Sequence, residues 1–333
     1  MAVSVQGGLG SADREAAVGL ASSNPFDPLR NYLHLGLDRS ADAGDRFRSA
    51  LDTEGASVLC AVDGGVLRGV AVVAHDERLS QHFGFGCASV RAFAVDRSEP
   101  SAGVLGVLAA AMRDLVGASG ERHLSVRAAA DDFEMLTAFQ SHGFLVADTM
   151  VTHLLSPTNP QTALPRRDMG KVEVLVAYGA EIERLPARLG ATMTEVLRRH
   201  YVLSRFHADP LFDDDRAGEW YAQWCERAFS GSAADGMMVA VHDEQPMGFI
   251  SWSKDHAAEK QHGLSIFGSG LGASLGRGAY AAMVEFAAIS PTFAHAEFDV
   301  HVSNFPVNRV LGRHPASRIL RVSHALHLSI GQP

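Results

Sequence analysis

Phe267-Gly268-Ser269-Gly270-Leu271-Gly272-Ala273-Ser274 is the stretch on which the reading of this chain turns. It lies between a β-like run, Leu264–Phe267, and a helical stripe formed by Gly276, Tyr280, Met283, Val284 and Ala287. Glycines let a backbone approach a ligand with no Cβ in the way. Amide N–H groups at the start of the following helix can cradle a pyrophosphate, helped by the helix dipole. The same pattern also suits a tight strand-to-helix turn that holds no ligand. Two nucleotide motifs are excluded. No Gly-Lys-Ser/Thr follows, so this is not a Walker A loop. A Rossmann site needs a parallel βαβ unit, whereas Met237–His242 and Met247–Trp252 upstream read as a hairpin around Asp243-Glu244-Gln245-Pro246.

Outward from that turn, the second half of the chain reads as strand, two helical stretches, hairpin, strand, glycine turn, helix, strand, short helix and closing strands. Val172–Ala177 opens it, and the second helical stretch carries Trp220, Tyr221 and Trp224, read as core aromatics. Ala296–Val302 alternates cleanly, with Phe298, Val300 and Val302 on one face and Glu297, Asp299 and His301 on the other. A helix starts at Asn304, and Ile319–Val322 and Ala325–Ile330 close the half. The first half follows the same order. Ala56–Val62 and Val66–Ala74 flank the hairpin signal Asp63-Gly64-Gly65. Ala88–Val95 then leads into a helix with Val104, Leu108, Met112 and Leu115 on one stripe, followed by a strand at His123–Ala128. Asp131 and Asp132 are N-cap candidates for the next helix, Gly143-Phe144 ends it, and β-like runs around Leu145 and at Val151–Leu155 finish.

A proline-bearing segment, Ser156–Gly170, separates the halves. The expected organisation is a first domain over 24–156, a linker over 157–170 and a second domain over 171–330. Each domain is α+β, a mostly antiparallel mixed sheet flanked by helices. The length of 333 residues suits two domains, and 47% hydrophobic with 20% charged residues suits ordinary buried cores. A net charge of -9 argues against a general nucleic-acid binder. No apolar run approaches the ~20 residues of a membrane span. The first twenty residues lack a basic n-region and read as a loose leader, not a signal peptide. Cys60, Cys87 and Cys225 have no zinc-ligand spacing and suit a reduced, cytoplasmic protein. None of the 16 histidines sits in an H-E-x-x-H arrangement, so no metal is expected.

This order of elements resembles the GNAT acyltransferase superfamily, and within it the tandem-domain type that includes dTDP-fucosamine acetyltransferase. The residues that carry the resemblance are Ser204-Arg205-Phe206-His207-Ala208-Asp209-Pro210, Trp220-Tyr221-Ala222-Gln223-Trp224 and Gly268–Ala273. In the first half they are Asp131-Asp132, Leu136, Phe139, Gly143-Phe144, Asp148-Thr149 and Thr152. The resemblance implies acetyl-CoA or another acyl-CoA as co-substrate, bound at Phe267, Gly268, Ser269, Gly270, Leu271, Gly272 and Ala273, with Asn304 as a helix cap that also reaches CoA. It implies N-acyl transfer to a small amine, a nucleotide-linked amino sugar being the named acceptor. Transfer to an amino-acid-like or natural-product intermediate, aminoacyl transfer from tRNA and a non-catalytic CoA-binding pseudoenzyme are the competing readings. Partners are expected to be the small amine alone, without nucleic acid or membrane, and a homodimer is left open.

Acyl transfer needs a neutral amine, donors for the thioester oxyanion and an acid for the departing thiolate. Relatives place a tyrosine about seven residues after the helix-starting Asn, and here that position is Leu311, which donates no proton. His314, one turn on, is either a replacement acid or a solvated helix-end histidine. Alternatively the thiolate leaves unaided. For the base, His207 and Asp209 precede the second helical stretch, although Asp209-Pro210 also fits plain turn chemistry. His301 is the preferred member of the Glu297, Asp299, His301 face. In the first half, Asp96-Arg97-Ser98-Glu99-Pro100-Ser101 stands where the glycine turn would be, so that domain is read as degenerate.

Overall fold

A strand buried on both sides must present an apolar side chain at every position, one set to each face. The Val70–Ala74 run within Val66–His75 does so: Ala71 and Val73 are buried in one core, and Val70 and Val72 in another. The computed structural model describes residues 3–32, 38–98, 101–156, 172–254, 264–270, 283–285, 287–288 and 295–331. They form two compact units, Met1–Thr149 with Val322–Pro333, and Met150–Arg321. Leu271, Gly272 and Ala273, the linker 157–170 and the Gly276 and Tyr280 positions of the helical stripe lie outside the described residues.

Unit 1 carries β1 (Ser4–Gly7), β2 (Ser57–Asp63), β3 (Val66–His75), β4 (Cys87–Val95) and β5 (His123–Ala129). The pairs β1–β2 and β2–β3–β4 are antiparallel, and β4–β5 is parallel. Beyond β5, Ser323–Ser329 pairs antiparallel with His123–Ala129. One face of the sheet buries Leu59, Ala71 and Leu124 under α4 (Ala102–Ala118) and α5 (Phe133–Ser141). The other buries Cys60, Val70 and Val72 under α1 (Ser11–Ser22) and α2 (Arg39–Leu51). A short helix, α3 (Glu77–Phe83), precedes β4.

Unit 2 carries β7 (Glu173–Tyr178), β8 (Gly236–His242), β9 (Gln245–Lys254), β10 (Leu264–Gly270) and β11 (His295–His301). Here too the first strands pair antiparallel, β10–β11 is parallel, and Met150–Leu155 closes the sheet antiparallel to β11. The helices α6 (Ala187–His200) and α8 (Asp214–Phe229) cover Met237, Val239 and Phe249 on one face. The opposite face buries Met238, Ile250 and Phe298 with Met283, Val284 and the helix α9 (Phe305–Arg313). Where α6 and α8 meet, Gly218 is required, because a Cβ there would stand 2.4 Å from the Arg198 carbonyl oxygen. Asp38, Asp76, Asp132, Ser204, Asp213 and Asn304 each cap a helix by accepting from the backbone N–H three residues on.

Two expectations are corrected. The supposed leader is structured: β1 pairs with β2, and α1 buries Ala17, Val18 and Ala21. Its small side chains give a weak periodic signal yet fit close to the sheet. The runs at Leu145 and Val151–Leu155 are one strand, β6 (Leu145–Leu155), and the two closing runs are one strand, β12 (Ser317–Ser329). The compact units divide at Thr149 and Arg321, within β6 and β12, and the Ser323–Ser329 part of β12 pairs with β5 of unit 1. Strand pairing partners decide this, and periodicity does not report them.

The β8–β9 hairpin turns on Asp243 and Glu244, with φ of +46° and +63° and His242 opposite Gln245. A two-residue loop with both φ positive favours Asn-Gly over Asp-Glu. Replacing Glu244 by glycine removes a left-handed Cβ penalty and gives up only an exposed contact with Arg188. Glu244→Gly is expected to stabilise the protein by about 1 kcal/mol, read as a raised urea midpoint with an unchanged slope.

Candidate functional site

In unit 2 the parallel ladder couples Leu264–Phe267 to His295–Phe298 and extends no further. Beyond it, β10 continues along β9, with Gly268, Ser269 and Gly270 opposite Ser251, Ile250 and Phe249. β11 continues along β6, with Asp299, Val300 and His301 opposite Thr152, Val151 and Met150. Each strand therefore keeps its outer partner while the two inner edges stop pairing at the glycine segment. Phe267, Gly268, Ser269 and Gly270 belong to β10 itself, so the strand runs three residues past its expected end.

Parity places the side chains of β11. Ala296, Phe298 and Val300 enter the core beneath α9, so Glu297, Asp299 and His301 point to the face covered by α6 and α8. Asp299 accepts a hydrogen bond from the Thr152 hydroxyl, and Arg321 Nε donates to Thr152 Oγ1 at 3.0 Å. His301 sits at the end of β11, where its Nδ1 accepts from the Ser303 N–H at 3.1 Å. Asn304 is the N-cap of α9, its Oδ1 accepting from Val307 N–H at 3.4 Å. Asn308, which belongs to no motif in the sequence, donates to the carbonyls of His301, Val302 and Asn304 and accepts from His153 Nε2 at 2.9 Å.

α7 (Arg205–Ala208) docks on α8 through Phe206, whose ring centroid lies 6.0 Å from that of Trp220. His207 is half-buried, its Nδ1 2.8 Å from Ser204 Oγ and its ring near-parallel to Tyr221. Burial holds its pKa below the ordinary histidine value, against the smaller upward pull of Asp214. His207 is thus neutral at pH 7. Asp209 is buried and accepts from the Leu211 N–H at 3.0 Å, the side-chain-to-backbone bond of an Asx turn. Trp224 stacks on Phe249 in the core, as expected of the aromatic stripe.

His314 is not at the surface. It is 4% exposed, its Nδ1 accepts from the Ala316 N–H, and its Nε2 lies 3.3 Å from Glu285 Oε2. That separation is an ion-pair distance without the alignment of a hydrogen bond. The solvated helix-end reading is therefore corrected: the C-cap of α9 turns the ring inward. Leu311 is fully buried in the same core.

Unit 1 repeats the topology with other chemistry. Its parallel ladder spans Cys87–Ser89 and His123–Ser125, after which β4 continues with β3 alone. At the start of α4, Ser101 is buried and its hydroxyl donates to Glu134. Arg97 donates to Asp132 at 2.5 Å, to Ser101 Oγ at 2.9 Å and to Glu134 at 3.3 Å, while its guanidinium lies over the Phe26 ring. The chain's own carboxylates thus stand at the helix start where an anion would bind. Burial raises the Asp132 pKa although Arg97 opposes it, so desolvation outweighs the pair's attraction. Removing Arg97 strands a buried carboxylate. Arg97→Met is expected to cost about 3 kcal/mol, and adding Asp132→Asn to recover part of it, both measured by chemical denaturation.

No protein-family model and no curated protein matches the sequence. Solved structures do resemble the fold. A GCN5-related N-acetyltransferase from Sphaerobacter thermophilus is 13% identical, with 99% of this chain and 96% of that chain covered and a TM-score of 0.59. A tandem GNAT protein from the clavulanic acid biosynthesis pathway is 14% identical, with 99% and 100% covered and a TM-score of 0.50. At these identities the likeness speaks for architecture, and with the repeated strand order of the two units it shows that the chain has the GNAT fold in tandem form.

Proposed function

We propose that the protein is an acyl-CoA-dependent N-acyltransferase whose acceptor is a small amine, with its active site in unit 2. The observation that carries this reading is the early end of the β10–β11 ladder at a glycine segment. Two strand edges that stop pairing offer backbone N–H and C=O groups to an extended ligand. The pantetheine arm of CoA carries two amides and can complete such an edge as a short extra strand. The glycines remove the side chains that would hold its pyrophosphate away. Phe267 to Ala273 would hold the cofactor, and Asn304, already the α9 cap, would stand at the far side. A backbone N–H at the end of the ladder would polarise the thioester carbonyl.

His207 is the preferred base, because its neutrality at pH 7 leaves a lone pair for the amine proton. His301 is the alternative on the same sheet face. Asp209 is given to its turn. With Leu311 and His314 both in the core, the reading favoured for the thiolate is departure without a side-chain acid, which its ordinary pKa near 8–9 permits. Nucleotide-linked amino sugars are the first acceptors to try, followed by amino-acid-like amines. The Arg97 clasp supports one cofactor per chain, since two carboxylates at the start of α4 repel a pyrophosphate.

Calorimetric titration of acetyl-CoA is expected to give one site per chain, lost in Gly270→Glu. No binding of acetyl-CoA or of longer acyl-CoAs would remove the proposal, and binding without turnover on any amine would leave the pseudoenzyme reading. A base must be neutral to accept a proton, and a lowered pKa keeps it neutral to lower pH. With a weakly basic amine, which stays neutral throughout, the acidic limb of kcat/KM is therefore expected below about pH 6.5.

A further inference from the structure

Ser204 is buried at 4% exposure and sits at the N-cap of α7. A cap needs only one contact, and Ser204 Oγ has that one at 3.4 Å from the His207 N–H. It makes a second, shorter contact of 2.8 Å with Nδ1 of the same residue. The oxygen is thus bonded more closely to the ring than to the helix it caps. Its lone pairs already face residue 207, and an Nδ1–H can share them with the backbone N–H. The Tyr221 ring on α8 lies near-parallel to the His207 ring, with centroids 6.3 Å apart, and Asp214, also on α8, is the charged group that acts on it. Among the described residues no hydrogen bond is made to Nε2.

We infer that Ser204 is a positioning residue, which holds the His207 ring through Nδ1 in the Nδ1–H tautomer and leaves Nε2 as the atom that receives the acceptor's proton. The inference rests on the acyl-transfer reading. In the step, the amine nitrogen forms a bond to the thioester carbon and its proton passes to Nε2. The carbon–sulfur bond breaks, and the thiolate leaves with the electron pair. The imidazolium keeps its Nδ1–H on Ser204 Oγ until Nε2 returns its proton to solvent or to the thiolate. Which ring nitrogen carries a proton is set by the partner of the other, and here that partner is a serine three residues away in the same turn.

Nitrogen-15 NMR of histidine-labelled protein tests this, with the His207 signals identified by their absence in His207→Gln. The wild type is expected to show Nδ1–H at His207, Ser204→Ala to shift it towards Nε2–H, and Ser204→Thr to restore it. In parallel, Ser204→Ala is expected to lower kcat about tenfold with KM for acyl-CoA unchanged. His207→Gln is expected to lower kcat roughly 10²-fold, with no further loss in the double variant. A serine that serves only as a helix cap would lower thermal stability and leave both tautomer and kcat alone. That outcome, or Nε2–H in the wild type, overturns the inference. A wild-type Nδ1–H signal lost in Ser204→Ala, in a protein that transfers no acyl group, would uphold the positioning and overturn only the acyl-transfer reading.

Discussion

Each unit must provide an antiparallel partner for the strand that ends its parallel pair. In unit 1 that strand is β5, and residues 323–329 from the far end of the chain pair with it. In unit 2 it is β11, and residues 150–155 supply the pairing. A parallel pair is held at one end by its ladder and at the other by separate antiparallel neighbours, so it can part without losing backbone hydrogen bonds on its outer sides. The gap at the end of the ladder follows from this constraint. So does the sequence separation of the strands that complete each sheet.

The same topology has been given two chemistries. At the start of α4, Arg97 draws Asp132 and Glu134 onto Ser101, and the positive end of the helix meets carboxylates from its own unit. In unit 2 the corresponding strand ends in Gly268, Ser269 and Gly270, with no charged group in that stretch. The balance at Asp132 shows what the filled site costs, since burial raises its pKa even with a guanidinium 2.5 Å away. An arrangement of that kind persists because removing one partner is worse than keeping both.

Burial also separates histidines that look alike on paper. His207 keeps one nitrogen on Ser204 and stays half-exposed, His301 ends a strand with Nδ1 on a backbone amide, and His314 is turned into the core against Glu285. Only the first two keep part of the ring at the surface. Leu311 is buried in the same core as Val307 and Phe298.

Local chemistry was legible from the residues alone. Two-residue alternation marked Ala296–Val302, Asn304 and Asp132 announced their caps, and the two-fold order of elements indicated a tandem α+β chain. These features depend on neighbours within a few positions, where side-chain period and hydrogen-bonding capacity act directly. The tertiary structure decided everything that depends on a distant partner. It folded the alanine-rich N-terminus onto the sheet and sent Ala325–Ser329 to β5. It also turned His314 inward and brought Arg97 to Asp132, 35 residues away. Pairing and burial are properties of two segments at once, and a single segment's pattern carries only half of that information.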